Sequence, residues 1–226
     1  MQTEEYNLLQ RIADLRSTRE SSLVIAATGD SFSSVLAEHI ELFCLRETNI
    51  KTQLLQVNFD QMVALAREGK ADLCFGRINE LPADLSGIPW RSLDHYLIGP
   101  QDHPIWSEAR QIELRDLARF PLIIPPVAEF TRTTSDLHTK LREHGLTAEV
   151  ALECPNVERS IEYARRHIGL YFALCTQEML GDIPDGMVCH PINHLFESRD
   201  YGAFVASTRP ISPGVARFLD EIGLQF

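Results

Sequence analysis

The sequence predicts an α/β fold built as two Rossmann-like lobes, and three observations carry that expectation. First, short apolar runs of strand length alternate with helical patterns along most of the chain, the order that gives parallel strands and right-handed crossovers. Second, the stretch QMVALAREGKADLCFGR from Gln61 to Arg77 reads as an amphipathic helix, a stop at Gly69, a short apolar strand and then Gly76-Arg77. A helix that ends at glycine and feeds a buried strand is half of a βαβ unit. Third, a Pro/Gly-bearing stretch from Asn79 to Pro89 interrupts the alternation. It leaves two βα clusters in one chain, split near Trp90–Leu93, with a last helix free to return to the first.

Taken in order, residues 4–19 form a candidate helix with Leu8, Ile12 and Leu15 on one stripe and Tyr6 and Leu9 beside it. So narrow a stripe does not hold a lone helix in water and needs a partner; a frayed tail is the plainer alternative. Ser22–Thr28 is an apolar strand. Gly29-Asp30-Ser31 breaks it with N-cap chemistry, and a helix runs from about Phe32 to Arg46. Lys51–Val57 is a strand, Asp60–Glu68 a helix and Ala71–Phe75 a third strand. Beyond the split, Tyr96–Pro100 reads as a strand ended by the turn Gln101–Pro104. Ile112–Ala118 is a helical turn, and an apolar strand lies within Pro121–Pro126. Ser135–His144 is a helix stopped by Gly145. Ala148–Glu153, Leu170–Leu174, Met187–Ile192 and Gly202–Ser207 are strands, and Val157–Arg166 is a helix. Ser212-Pro213 opens the last helix, with proline early, where it is tolerated.

At 226 residues the chain suits one large domain or two small ones. Hydrophobic residues make 44% and charged residues 23%, an ordinary globular balance. No apolar run approaches the roughly 20 residues of a membrane span. The amino-terminal MQTEEYNLLQRIADLRSTRESS is charged throughout and lacks a signal-peptide core, so a cytoplasmic location is expected. The five cysteines form no CxxC pair and read as reduced structural thiols. The formal charge of −11 argues against direct DNA binding by this chain, which would rest on cations meeting phosphates. If the protein acts on DNA, the DNA-binding part lies elsewhere. The histidines give no metal pattern: His138 and His144 do not share a helical face, and Pro191 intervenes between His190 and His194. No GxSxG, GxGxxG or Walker motif occurs. No catalytic constellation, cofactor or metal is therefore expected.

The blocks LVIAATGDS, LAREGKADLCFGR, Asp102-His103-Pro104-Ile105, Leu114–Ile123, Ile168-Gly169-Leu170 and Ser212–Phe218 stand in an order and spacing that resembles the effector-binding (substrate-binding) domain of the LysR-type transcriptional regulators. The resemblance spans nearly the whole chain. It implies a type 2 periplasmic-binding-protein fold with an N-terminal linker helix (1–20), a regulatory lobe I (21–92 and 210–226), a lobe II (93–209) and an inducer cleft between the lobes. It implies a winged helix-turn-helix ahead of the linker helix, and so DNA binding only through that part. It also implies antiparallel pairing of two sensor domains through the exposed face of the Phe32–Arg46 helix and a helix of the second lobe; a homodimer is expected, and a tetramer stays open for the full-length form. Three departures bear on the cleft. Arg166-His167 replaces the family's Ala-Gly, where a positive φ suits histidine poorly. Ala37 stands for a proline early in the first helix, and Leu174 for a proline that usually ends the strand.

The candidate effector residues lie at strand ends. Thr28, Gly29, Asp30 and Ser31 form the turn after the first strand, which aims helix N–H groups at a ligand. Asp30 is either a plain cap or an acceptor for ligand hydroxyls; ionised, it would repel a carboxylate beside it. A polar or hydroxylated ligand, or an acid held away from Asp30, is thus expected. Arg77 ends a strand at the carboxyl edge, where open α/β sheets bind ligands, and can fork a carboxylate or simply pair on the surface. Phe59 lies after the second strand, where the family lines its pocket. The loop from Pro125 to Thr133, with Phe130, Thr131, Arg132 and Thr133, offers donors and an aromatic at another strand end. Phe172 is a wall or a core residue. Three rivals remain: a free solute-binding protein of a transport system, an enzyme on a similar scaffold such as a dehydratase, and a ligand-indifferent dimerisation module.

Overall fold

The computed structural model describes residues 22–27, 30–79, 81–107, 111–126 and 133–226, with backbone alone at 30–34 and 133. The helix expected over 4–19 lies outside these residues. In chain order the elements are β1 (Ser22–Ala27), α1 (Asp30–Arg46), β2 (Lys51–Gln56), α2 (Phe59–Glu68), β3 (Leu73–Arg77), β4 (Leu85–Pro100), a 3-10 turn (Pro104–Trp106), α3 (Leu114–Arg119), β5 (Leu122–Ile124), α4 (Thr133–Glu143), β6 (Val150–Glu153), α5 (Val157–Arg165), β7 (Leu170–Cys175), α6 (Gln177–Leu180), β8 (Met187–Pro191), β9 (Arg199–Ala206) and α7 (Pro213–Glu221). The hydrogen-bonded strand order is β2-β1-β3-β9-β4-β7-β5-β6, with β8 also on β4. The described residues fall into two compact units, 22–27, 36–90 and 202–226 in the first and 30–35 and 91–201 in the second. The long strands β4 and β9 contribute to both. No helix among the described residues is long and apolar enough to cross a membrane.

In the first unit β1 pairs in parallel with β2 and β3, the expected β-α-β-α-β winding. The local chemistry explains why α2 stops where it does. Gly69 takes φ 66 and returns its N–H to Leu65 and Ala66, a left-handed cap that glycine adopts without a Cβ penalty. The chain then turns straight into β3, and Asp72 accepts the Val24 N–H through Oδ2 at 2.9 Å. α2 buries Met62, Val63 and Ala66 on one side. α7 is capped by Ser212, carries Pro213 in its first turn and buries Val215, Phe218 and Leu219. Phe218 meets Phe43 edge-on at 5.2 Å and Phe75 at 6.0 Å, and Phe75 meets Trp90 at 5.5 Å. Each such ring contributes on the order of 1.5–3 kcal/mol by burial.

In the second unit β5 runs parallel to β6 and β7, while β4 is antiparallel to β7 and β8. Its core gathers Leu97, Leu117, Leu122, Leu137, Leu141 and Phe172. Gly169 opens β7 under close constraint: a Cβ there would come within 2.7 Å of the Pro121 carbonyl oxygen. Two residues before it lies the strain expected from the sequence. His167 has φ 59, the one non-glycine with positive φ among the described residues, and its N–H returns to the Ala164 carbonyl at 2.9 Å to end α5. A bulky residue there costs on the order of 1–3 kcal/mol.

Two elements differ from expectation. β4 begins at Leu85 and runs 16 residues, through the Asn79–Pro89 stretch read as a break. Gly87 and Pro89 suggest a loop, but a strand tolerates them where a neighbouring backbone approaches closely or no N–H is needed. The approach is visible at Gly202 of β9, where a Cβ would lie 1.9 Å from the Ile88 oxygen. α6, capped by Thr176, is not expected from a four-residue pattern.

Candidate functional site

Parallel pairing brings the carboxyl ends of three strands together. Ala27 is in register with Gln56 of β2 and Phe75 of β3, and the Val57 N–H continues the pairing to the Ala27 carbonyl at 3.1 Å. The residues that leave these strands therefore collect on one edge of the first unit. After β2 comes Asn58, whose Oδ1 accepts the Gln61 N–H at 2.9 Å while Gln61 Oε1 accepts the Asn58 N–H at 3.2 Å. This reciprocal cap fixes the start of α2 and with it Phe59, the first helical residue. At the end of β3 stands Arg77. Its guanidinium carbon lies 4.5 Å from the Phe59 ring centroid, a cation–π stack worth about 0.5–1 kcal/mol at a partly exposed site. Phe59 is braced from behind by Phe204 at 6.2 Å. The edge thus presents a delocalised cation on an aromatic platform, a group able to take a carboxylate or a ring of oxygens.

The other candidates are spread over both units. Thr28 and Gly29 lie outside the described residues, and Asp30 and Ser31 form the backbone of the first turn of α1. α1 begins at Asp30, two residues ahead of the expected Phe32, within the ordinary spread of helix ends. In the second unit Pro125 directly follows β5, and its carbonyl accepts the Thr134 hydroxyl at 2.6 Å. Thr134 has no exposed surface, so it pins the two ends of the loop whose middle, with Phe130, Thr131 and Arg132, lies outside the described residues. Thr134 is not among the residues the sequence singles out, although a Thr run ahead of a helical pattern is an N-terminal signal. Phe172 sits in the core: fully buried, it packs on His95 at 5.5 Å and Phe196 at 5.1 Å, and offers no surface to a ligand here.

Nothing in the sequence points to His95. It is 1% exposed, and neither ring nitrogen has a hydrogen-bond partner of good geometry among the described residues. Burial lowers its pKa from 6.5 to about 4, against weaker support for the charged form from Asp136 and Asp94. It is a neutral imidazole at physiological pH. The five cysteines are free thiols; burial pushes Cys74 up to about 12 and Cys189 up to about 11, so neither is a ready nucleophile. Among the described residues no group of His, Cys, Asp or Glu is arranged to hold a metal ion.

Comparison with known proteins gives this geometry a family. Residues 16–225 match the LysR substrate binding domain. A curated relative, the HTH-type transcriptional regulator cbl of Escherichia coli (strain K12), is 25% identical over 198 residues, 86% of this chain and 61% of that protein. The chain thus spans about three fifths of that relative's length. The crystal structure of the cofactor-binding domain of the Cbl transcriptional regulator superposes with a TM-score of 0.73 at 22% identity, covering 90% of this chain and 89% of that one. The BenM effector-binding domain with its effector benzoate superposes with a TM-score of 0.71 at 14% identity, covering 89% and 90%. These likenesses establish the fold. With nearly its whole length matched to one family, the chain belongs to the LysR substrate-binding domains.

Proposed function

We propose that the chain is the effector sensor of a cytoplasmic LysR-type transcriptional regulator. Lobe I is residues 21–92 and 210–226, lobe II residues 93–209, and a small metabolite binds between them. The lobe ends that meet the ligand are the Thr28–Ser31 turn, Phe59 and Arg77 on one side and the loop from Pro125 to Arg132 on the other. An effector that prefers one arrangement of the lobes shifts the population toward it by its differential affinity and by nothing else. The shift passes through a homodimer to a linker helix and to a winged helix-turn-helix outside this chain, which alone contacts DNA.

The observation that carries this reading is the Arg77–Phe59 stack on the carboxyl edge of a chain matched to the family over residues 16–225. Arg77 supplies the charge for an acidic or polyoxygenated ligand, and Asp30, at the amino end of α1, favours hydroxyls over a bare carboxylate beside it. BenM binds benzoate; this chain is expected to prefer a hydroxylated acid. Isothermal titration with hydroxy acids, sugar acids, sugars and simple aromatic acids tests it. The expected result is tighter binding of a hydroxylated acid, weakened about tenfold or more by Arg77→Ala. Tight binding of benzoate, unchanged in Asp30→Ser and in Arg77→Ala, would sink the proposal.

A further inference from the structure

A cavity of about 530 Å³ opens in the first unit where β3 begins, among Ala66, Ala71, Val205, Ile211 and Val215, with Asp72 and Arg209 as its charged members. It lies at the opposite end of β3 from Arg77, roughly 13 Å along the strand. None of the described candidate effector residues is among the residues that line it.

We infer that this cavity is a second small-molecule site, and that its ligand is a zwitterion with an apolar body, of the apolar amino-acid kind. The volume falls in the range of small-molecule pockets, which pair an apolar lining with a few placed polar groups. Ala66, Ala71, Val205 and Val215 are each less than 8% exposed and form the floor, while Ile211, at 38%, stands at the rim. The described lining carries one guanidinium and one carboxylate, joined by no ion pair among the described residues. Each is held by backbone instead. Asp72 Oδ2 accepts the Val24 N–H at 2.9 Å, which leaves its second oxygen to a ligand ammonium. The Arg209 guanidinium donates from Nη2 to the Glu68 carbonyl at 3.3 Å, and its other nitrogens are donors for a ligand carboxylate. The arginine is seated by glycine. A Cβ on Gly69 would lie 1.5 Å from Arg209 Nη1, so the same left-handed glycine that ends α2 gives the guanidinium its place. A pure acid would meet Asp72 and a pure amine would meet Arg209, each at a desolvation cost that the zwitterion avoids.

Titration calorimetry of this chain with L-phenylalanine, L-leucine and L-methionine is set against 3-phenylpropanoate and phenethylamine. At least one amino acid is expected to bind about tenfold more tightly than its deaminated and decarboxylated analogues. Arg209→Gln and Ile211→Glu, both between β9 and α7, are expected to weaken it by a similar factor. Arg77→Ala is expected to leave it unchanged, which separates this site from the effector site. Binding of the simple acid as tightly as the amino acid overturns the assignment, as does binding lost in Arg77→Ala but kept in Arg209→Gln. So does absence of amino-acid binding up to about 10 mM. If binding appears only after residues 1–20 are removed, that segment is the occupant and the proposal fails.

Discussion

A buried imidazole without a well-formed hydrogen bond among the described residues is tolerated only while it stays neutral, and His95 makes the point measurable. Its ring lies 5.1 Å from Phe196 and 5.5 Å from Phe172. Protonation would place a cation among aromatic carbons, a desolvation cost larger than the attraction of Asp136 and Asp94, while the repulsion of Arg199 is smaller than the attraction of Asp136 alone. Lys140 and Arg199 lie close by in the same pocket, together with Asp136, Glu143 and Glu197. The sign comes from the folded pKa of about 4 lying below the ordinary 6.5. The unfolded chain takes up the proton first, so stability is complete above pH 6.5 and falls as pH drops toward 4. The loss is bounded at about 3 kcal/mol. Urea unfolding from pH 7.5 to 4.5 should show this fall in the wild type and a flatter curve in His95→Phe. Parallel curves would show that His95 is hydrated or partnered in solution. Residue-level features of this kind explain what the sequence could not disclose. That His95 and Phe172 share a core is a fact of register between β4 and β7, where His95 faces Leu174 and Leu97 faces Phe172, and no local pattern encodes it. The strain at His167 is visible in the sequence only because a glycine-demanding turn is expected at that place.

At the scale of elements, caps decide where helices start and hence where side chains point. Asn58 closes a reciprocal cap on α2 with Gln61, and α2 begins with Phe59, the platform for Arg77. Asn58→Ala should cost about 1 kcal/mol in global stability by chemical denaturation, with affinity for the effector falling further than stability alone accounts for, because Phe59 loses its fixed position. A loss of stability with unchanged effector affinity would detach the Phe59 platform from binding. The elements legible in sequence are those with such local punctuation: α2 with Gly69, α7 with Ser212-Pro213, and β1, β3 and β7 as apolar runs. β4 is only half legible because its first half is held by β9, more than 100 residues later in the chain, and Gly87 and Pro89 obscure it. Within the candidate site, Phe59 and Arg77 can each be read from strand ends, but their stacking cannot, since it depends on the parallel register of β1 with its two neighbours. Thr134 escapes a local reading because its role is to bond the far end of its own loop.

For the molecule as a whole, two of the exposed large apolar side chains among the described residues, Leu45 at 69% the most exposed of them, sit on the element that the family resemblance assigns to pairing. α1 leaves Leu42 at 43% and Leu45 at 69% exposed, three residues apart and so on one helical face, and β2, with Leu54 at 38%, is an edge strand. An exposed edge strand is a liability in a monomer, and two leucines three residues apart on a surface helix lie side by side on one face. The proposed homodimer covers this side. Its strength is set against a formal charge of −11 per chain, so two copies repel at low ionic strength and the apolar contact must exceed that repulsion. Dimerisation is therefore expected to strengthen as salt is raised from about 20 to 300 mM, the reverse of an interface held by ion pairs. Light scattering at tens of micromolar should give a dimer in moderate salt, and Leu45→Glu, which adds a charge to an already exposed position without touching the core, should shift it toward monomer by about tenfold in dissociation constant. A wild-type chain that stays monomeric across the salt range, or a Leu45→Glu chain that dimerises as the wild type does, would move the interface off α1.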